Sequence, residues 1–173
     1  MDNGRRMTME TTLAEVRALV REHLQPGMPA IDCPACGQRV KRYKYKLDSG
    51  MARALVKLGV YDDFYPGQMM DYRNRFAGGE ARKHSLLRHW GLIERADHRT
   101  GKRAGFWRIT PAGHEFLGGS EVPWAIWHFN DHCLGFTQEQ TTIRRALGDK
   151  FNLEELLASA REEEEKWRAT KGS

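Results

Sequence analysis

Two cysteines separated by two residues are the clearest candidate for a metal or redox site in this sequence. Cys33 and Cys36 stand in the sequence CPACG, where two thiolates can chelate one metal ion and the glycine lets backbone amides approach the sulfurs. A structural zinc site takes four ligands. The third cysteine, Cys133, directly follows His132, and His128 lies four residues before that histidine. We therefore expect a structural zinc bound by Cys33, Cys36, Cys133 and one of the two histidines, with His132 as our assignment.

Two other interpretations of the cysteine pair stay open at this point. The pair can be reduced and free of metal, or it can exchange with disulfides as in a thiol oxidoreductase. In thioredoxin-like enzymes Cys-Pro-x-Cys begins a helix after a strand, whereas here a basic, strand-like segment over 38–47 follows the pair. His128 and His132 can also simply flank a hairpin turn. Three cysteines do not make the disulfide framework of a secreted protein.

A basic helix followed by a basic hairpin occupies residues 80–117. Apolar residues recur at helical spacing in its first part, and Gly91 suits a left-handed helix end. Strand-like segments lie on either side of a polar, glycine-containing turn at 98–103. Thr110 and Pro111 then favour the start of another helix. This order predicts a helix beside a β-hairpin, which is how a winged helix contacts DNA.

The same residues carry a resemblance to known regulators. The pattern Leu-x-x-x-Gly-Leu-Ile-Glu-Arg, a polar turn, and aromatic-x-Arg-Ile-Thr-Pro-x-Gly spans residues 83–117. It resembles the recognition helix, wing and following helix of winged-helix proteins of the MarR and PadR types. The resemblance implies that the helix over Lys83–Trp90 binds in the major groove and that the turn Arg99–Arg103 is the wing. The predicted contacts to duplex DNA are Arg82, Lys83, Ser85, Arg88 and His89 in the helix, Arg99, Lys102 and Arg103 in the wing, and Lys41, Arg42, Lys44 and Lys46 in the preceding strand.

The whole chain also resembles small proteins encoded in phages and prophages. The shared pieces are the Cys-Pro-x-Cys-Gly motif, a Ser-Gly-Met-Ala-x-x-Leu helix at Ser49–Leu55 and an Ala-Leu-Gly-x-Lys-Phe segment at Ala146–Phe151. Together the resemblances imply a phage-encoded DNA-binding protein, and our first hypothesis is a transcriptional regulator. The alternative is a phage adaptor or inhibitor that binds a host nucleic-acid-processing or defence protein. Its anchors would be Trp124 and Trp127, in a hairpin over Val122–Phe136.

The distribution of charge favours contact with a polyanion. The formal net charge is +5, but residues 39–108 contain 17 Lys and Arg against 7 Asp and Glu, and Glu162–Glu165 concentrate negative charge near the end of the chain. A basic centre with an acidic end is typical of a nucleic-acid-binding body, and a solvated basic surface is the simpler alternative. The sequence shows no bilayer-spanning apolar run, signal peptide or catalytic motif. We therefore expect a cytoplasmic protein that is not an enzyme.

Aromatic residues among the basic ones offer a second mode of contact. Tyr43 and Tyr45 alternate with lysines, as in surfaces that stack the bases of single strands, and a packing role is equally open for both. We assign Trp90, Phe106 and Trp107 to the core beneath the wing.

These patterns predict an α+β fold made of three consecutive parts. Residues 1–47 hold an N-terminal helix, the zinc-knuckle-like cysteine turn and a basic strand. Residues 48–119 form the winged helix-turn-helix. Residues 120–173 form a β-hairpin, with a two-residue turn at Asn130-Asp131, and a helical extension. The last helix has an apolar side over Leu153–Ala160 that can pack against a second copy to give a homodimer.

Overall fold

The computed structural model describes residues 12–75, 83–95 and 105–171 of the chain. Over these residues the fold is mixed α and β with small antiparallel sheets. The chain divides into two compact units, of which the first comprises Met1–Tyr45 and Ile126–Phe136 and the second comprises Lys46–Ala125 and Thr137–Ser173.

The two units are interleaved in sequence, which differs from the three consecutive parts predicted. The hairpin at 126–136 belongs to the first unit, and the terminal helices belong to the second. In chain order the described elements are α1 (Leu13–His23), β1 (Ile31–Asp32), β2 (Arg39–Val40), β3 (Tyr43–Lys46), α2 (Ser49–Phe64), β4 (Met70–Asp71), α3 (Tyr72–Arg75), a 3₁₀ helix (His84–Trp90), β5 (Ile93–Arg95), β6 (Phe106–Ile109), α4 (Pro111–Leu117), β7 (Val122–Pro123), β8 (Ala125–Phe129), β9 (His132–Phe136), β10 (Gln140–Thr141), α5 (Ile143–Leu147) and α6 (Leu153–Lys171).

In the first unit, helix α1 packs on a small apolar core. Thr12 begins the helix with a capping box: its hydroxyl accepts a hydrogen bond from the Glu15 N–H (3.3 Å), and the Glu15 carboxylate accepts one from the Thr12 N–H (2.7 Å). The core joins Val16 of this helix to the buried Cys33, and Phe129 of β8 packs against it. The cysteine turn is therefore held against the helix by apolar contacts.

Strands β3, β8 and β9 form a three-stranded sheet in that order. The turn between β8 and β9 is Asn130-Asp131, and both residues have positive φ (45° and 65°), as the favoured two-residue hairpin turn requires. This predicted hairpin turn is confirmed. The register shifts between Trp127 and His128, so the hairpin contains a β-bulge, and Trp127 pairs with Gly135 of β9.

Helix α2 is the central helix of the second unit. The Asp48 carboxylate caps it by accepting a hydrogen bond from the Met51 N–H (3.0 Å). Sequence periodicity ends this helix at Leu58 and predicts an aromatic connection at 61–65, but the structure continues the helix to Phe64. The prediction is wrong because α2 contacts α4, α5 and α6. A helix covered on several sides has no single apolar stripe to show where it ends.

The second unit also contains a three-stranded antiparallel sheet in the order β4-β6-β5. Met70 of β4 pairs with Trp107 of β6, and Ile93 of β5 pairs with Ile109 of β6. The sequence, with Met69, Met70 and Tyr72 available for packing, predicts a short helix over 66–73. This prediction is wrong, since β4 occupies part of that range and α3 begins at Tyr72. The two-residue strand β4 forms through its pairing with β6, which no local periodicity could indicate.

The predicted recognition helix is a 3₁₀ helix over the described part of its length. It ends at Gly91, whose φ of 71° is the left-handed conformation expected there. The next predicted helix start is confirmed as well, because the Thr110 hydroxyl accepts a hydrogen bond from the Gly113 N–H (3.1 Å) and Pro111 occupies the first turn of α4. Arg82 lies outside the described residues.

The sequence predicts that Asn152 caps the last helix, and this is confirmed: the Asn152 side chain accepts a hydrogen bond from the Glu155 N–H (3.1 Å) where α6 begins. The helix continues through the glutamate run to Lys171. Leu153 and Ala160, on the side proposed for a homodimer, are buried within the chain. In the described part of the chain, no helix has the length and apolar character needed to cross a membrane.

Candidate nucleic-acid interface and cysteine pair

The predicted major-groove residues differ in their availability for contact. Lys83 is exposed just before the 3₁₀ helix, and its ammonium lies 3.2 Å from an Asp48 carboxylate oxygen. Arg88 is half-buried, and its guanidinium donates to the carbonyl of Ser85 (3.1 Å). Ser85 and His89 are half-buried as well. The helix thus presents Lys83 directly, whereas Arg88 is folded back along its own helix.

An aromatic stack holds the start of this helix against the sheet. The imidazole of His84 stacks on the ring of Tyr72, with ring centres 3.9 Å apart and planes 16° apart, and meets Trp107 edge to face at 5.5 Å. At the other end of the helix the Trp90 indole N–H donates to the carbonyl of Pro123 (2.6 Å). Trp90 and Trp107 are buried, as predicted, and Phe106 is half-buried.

The end of the helix is also tied to the base of the hairpin. The Thr110 hydroxyl donates to the Gly91 carbonyl (2.5 Å), and the Thr110 N–H donates to the Leu92 carbonyl (3.1 Å). The Leu92 N–H donates in turn to the carbonyl of Leu87 (3.2 Å). The predicted wing residues Arg99, Lys102 and Arg103 lie outside the described residues, but the strands on either side of them are fixed to the helix by these bonds.

In the first unit the predicted basic strand places cations over an indole. The guanidinium carbon of Arg42 lies 4.5 Å from the centre of the Trp127 ring, and the ammonium of Lys44 lies 5.8 Å from it. Lys41 lies 4.7 Å from the ring centre of the exposed Tyr43. Lys46, in the second unit, lies 4.4 Å from the ring centre of Trp124. Both tryptophans proposed as protein anchors therefore have a cation over the ring.

The second tyrosine of the strand, Tyr45, has different surroundings. Its ring meets the His128 imidazole edge to face at 5.3 Å. The Nε2 atom of His128 lies 3.9 Å from a carboxylate oxygen of Asp131. Tyr45 is half-buried, so its role is at least in part packing, whereas Tyr43 remains available at the surface.

The turn between β1 and β2 holds the cysteine pair. The Cys33 N–H donates to the Gln38 carbonyl (2.8 Å), and the Gly37 N–H donates to the Cys33 carbonyl (2.7 Å), with Gly37 at a φ of 71°. Hydrogen bonds from the backbone N–H groups of Ala35 and Cys36 lower the pKa of the Cys33 thiol below its ordinary value. The turn therefore favours a thiolate at Cys33, the form that binds metal.

The predicted third and fourth zinc ligands lie on β9. The Cys133 thiol is half-buried and lies 3.6 Å from the Gly135 carbonyl, and His132 is exposed. In the parts of the chain that the structure describes, the ligand atoms of Cys33 and Cys36 do not form a cluster with those of His132 or Cys133 in which all atoms lie within 4.8 Å of one another. The Cys33 and Cys36 thiols lie within hydrogen-bonding reach of each other, and the described residues do not assemble the four-ligand set predicted from the sequence.

The contact of Arg42 and Lys44 with Trp127 was not predicted from the sequence. Arg42 and Lys44 alternate in an extended segment, which predicts that they share a face of the strand. Their common partner, Trp127, lies on β8, more than eighty residues away in sequence. Only strand pairing brings the three together, so no local pattern could have indicated it.

No family profile matches the chain, and no curated protein or solved structure is similar to it.

Proposed function

We propose that the protein binds duplex DNA through its second unit, folded as a winged helix, and that it acts as a phage-encoded transcriptional regulator. The observation that carries the proposal is the sheet order β4-β6-β5, with the 3₁₀ helix ending immediately before β5. Strands β5 and β6 pair antiparallel on either side of residues 96–104, whose basic sequence predicts the turn. A short helix followed by such a hairpin is the arrangement that the sequence pattern predicts.

Rigid attachment of the hairpin to the helix supports this proposal. A protein that contacts two parts of a duplex at once needs both elements in a fixed relation, since loose elements lose entropy on binding. The hydrogen bonds of Thr110 to Gly91 and Leu92, together with the bond from Leu92 to Leu87, supply that attachment. The base of the hairpin and the end of the helix are therefore held in a fixed relation to each other.

The distribution of positive charge also supports DNA as the ligand. Residues 39–108 carry 17 Lys and Arg against 7 Asp and Glu, and Lys83 is exposed at the start of the helix. Its partner Asp48 is half-buried and also caps α2, but the Asp48 side chain is 40% exposed and the ion pair is open to solvent, so a phosphate can compete with Asp48 for Lys83. To reach a base edge, the Arg88 guanidinium must break its hydrogen bond to the Ser85 carbonyl. A bidentate contact with guanine replaces that single hydrogen bond with two, so the exchange is favourable.

The test is binding of the purified protein to a fluorescently labelled random duplex across a range of salt concentrations. The proposal predicts that affinity falls steeply as salt rises, with log K linear in log salt, because bound cations displace counterions from the phosphates. Failure to bind the duplex at low salt would exclude DNA binding. A complex with a host protein that persists at high salt would favour the adaptor function instead.

For the cysteine turn we propose a structural zinc site in which Cys33 and Cys36 supply two ligands. The support is the paired sulfurs and the backbone N–H groups that favour the thiolate at Cys33. A structural zinc takes two further ligands, and His132 and Cys133 are not grouped with the two cysteines among the described residues. A zinc ion there would hold the β1–β2 turn closed, in addition to the apolar contacts of Cys33.

A further inference from the structure

An open groove in the first unit is lined by basic and aromatic side chains. Its volume is about 660 Å³, and it lies between the loop that follows α1 and the end of β9. Trp127 and Arg42 line it together with Lys41, and Phe136 at the end of β9 is 48% exposed. This groove is distinct from the helix and hairpin proposed to contact duplex DNA, because all of its lining residues belong to the first unit.

The arrangement at Trp127 is suited to stacking. The β-bulge lies next to this residue, at Leu134 of β9, and the residue opposite Trp127 is Gly135, which has no side chain and a φ of 138°. Arg42 lies over the indole at 4.5 Å, and a planar guanidinium can stack with a nucleobase as an aromatic ring does. Phe136 adds a second exposed aromatic face in the same groove.

The groove also has the charge of an anion site. The described residues that line it include two cations and no carboxylate. The Nε atom of Arg42 is buried and has no hydrogen-bond acceptor among the described residues. A buried donor of this kind gains free energy when a ligand supplies an oxygen. Lys41, at the rim, is exposed and can reach a second phosphate.

We infer that this groove binds single-stranded DNA. Bases stack on the Trp127–Arg42 pair and on Phe136, and the cations of Arg42 and Lys41 contact the phosphates, which is how proteins hold single strands with little regard to sequence. The choice of DNA rests on the proposed function, since the ligand proposed for the second unit is DNA.

The experiment measures the anisotropy of a labelled oligothymidine on titration with the full-length protein. Trp127→Leu removes the stacking surface and should weaken binding about tenfold or more. Trp127→Phe retains a ring and should keep most of the affinity. Arg42→Gln should weaken binding several-fold, while Arg39→Gln removes the same charge from an exposed, Asp32-paired residue outside the groove and should leave affinity unchanged. Thermal unfolding of each variant, compared with the parent protein, checks that it is folded.

Three results would overturn the inference: an unmodified protein that does not bind the oligothymidine, a folded Trp127→Leu variant with normal affinity, or equal losses in Arg39→Gln and Arg42→Gln. Tighter binding of an oligouridine than of the oligothymidine would overturn the assignment to DNA. The random duplex, titrated in parallel, separates the two proposals. Loss of oligothymidine binding in Trp127→Leu with duplex binding intact supports the groove, and absence of duplex binding alone contradicts only the winged-helix proposal.

Discussion

Glu164 is buried in an ion pair with Arg75, although it stands in a run of four glutamates. The Arg75 guanidinium carbon also lies 4.4 Å from the ring centre of Trp167 and 5.2 Å from that of Tyr61. Burial raises the pKa of the Tyr61 hydroxyl, which is consistent with this enclosed setting. The pair attaches α6 to the rest of the second unit and therefore stabilises the support of the proposed DNA-binding elements.

Removing one partner of this pair should destabilise the protein strongly. Glu164→Ala leaves the Arg75 charge buried without its carboxylate, and we expect the free energy of unfolding to fall by about 3–5 kcal/mol. Glu165→Ala, the neighbouring exposed glutamate, should change it by less than about 0.5 kcal/mol. Urea denaturation followed by circular dichroism measures both. Equal effects of the two substitutions would show that the pair contributes nothing beyond the helix itself.

The glutamate run also shows where sequence reasoning ends. Local signals predicted local structure correctly: the Asn130-Asp131 turn, the left-handed Gly91 and the Thr110 cap all involve bonds between residues close in sequence. The burial of Glu164 depends on Arg75, 89 residues away. Nothing in the run itself distinguishes that glutamate from its neighbours, because its desolvation is decided by the packing of α6 on α2.

The candidate sites, like the fold, divide into features that local sequence predicts and features that depend on contacts between distant residues. Basic character and the cysteine spacing are properties of the sequence, and both were found there. The sequence does not indicate which of the cations can contact a ligand. Folding decides this, because Arg88 donates a hydrogen bond within its own helix and Arg42 lies over the ring of Trp127. The zinc ligands on β9 were predicted by elimination among histidines and cysteines, and strand geometry decides whether they reach the turn.

Zinc content should depend on Cys33 and Cys36 and not on His132 or Cys133. We expect Cys33→Ser and Cys36→Ser to abolish zinc binding, since each removes one of the two sulfurs, and Cys133→Ser and His132→Ala to retain it. Native mass spectrometry of protein purified without chelator gives the metal content and the number of chains per ion. Loss of zinc in Cys133→Ser as well would restore the four-ligand set predicted from the sequence, and a metal-free parent protein would exclude the site.

The Cys33 thiol should ionise at a lower pH in the folded protein than in the unfolded chain. Backbone N–H groups of Ala35 and Cys36 lower its pKa from an ordinary value of 9.0. Because the folded pKa is depressed, this group stabilises the fold above the unfolded pKa, and that contribution is lost as pH falls through the folded pKa. Thiolate absorbance at 240 nm, titrated in a metal-free variant that carries both Cys36→Ser and Cys133→Ser, measures it. The same variant in guanidinium is the control, and coincident titration curves would contradict the assignment.

The central claim is that the short helix and the basic hairpin bind duplex DNA together. Its most direct test is the dissociation constant for labelled duplexes of several sequences, measured over a range of salt for Arg88→Ala and Lys102→Ala, with the exposed α6 substitution Arg161→Ala as control. We predict that Arg88→Ala weakens binding by about 1–3 kcal/mol for some sequences more than others. Lys102→Ala should weaken all sequences alike and reduce the salt slope by about one, and Arg161→Ala should have no effect. Unchanged affinity and salt slope in both Arg88→Ala and Lys102→Ala would contradict the claim.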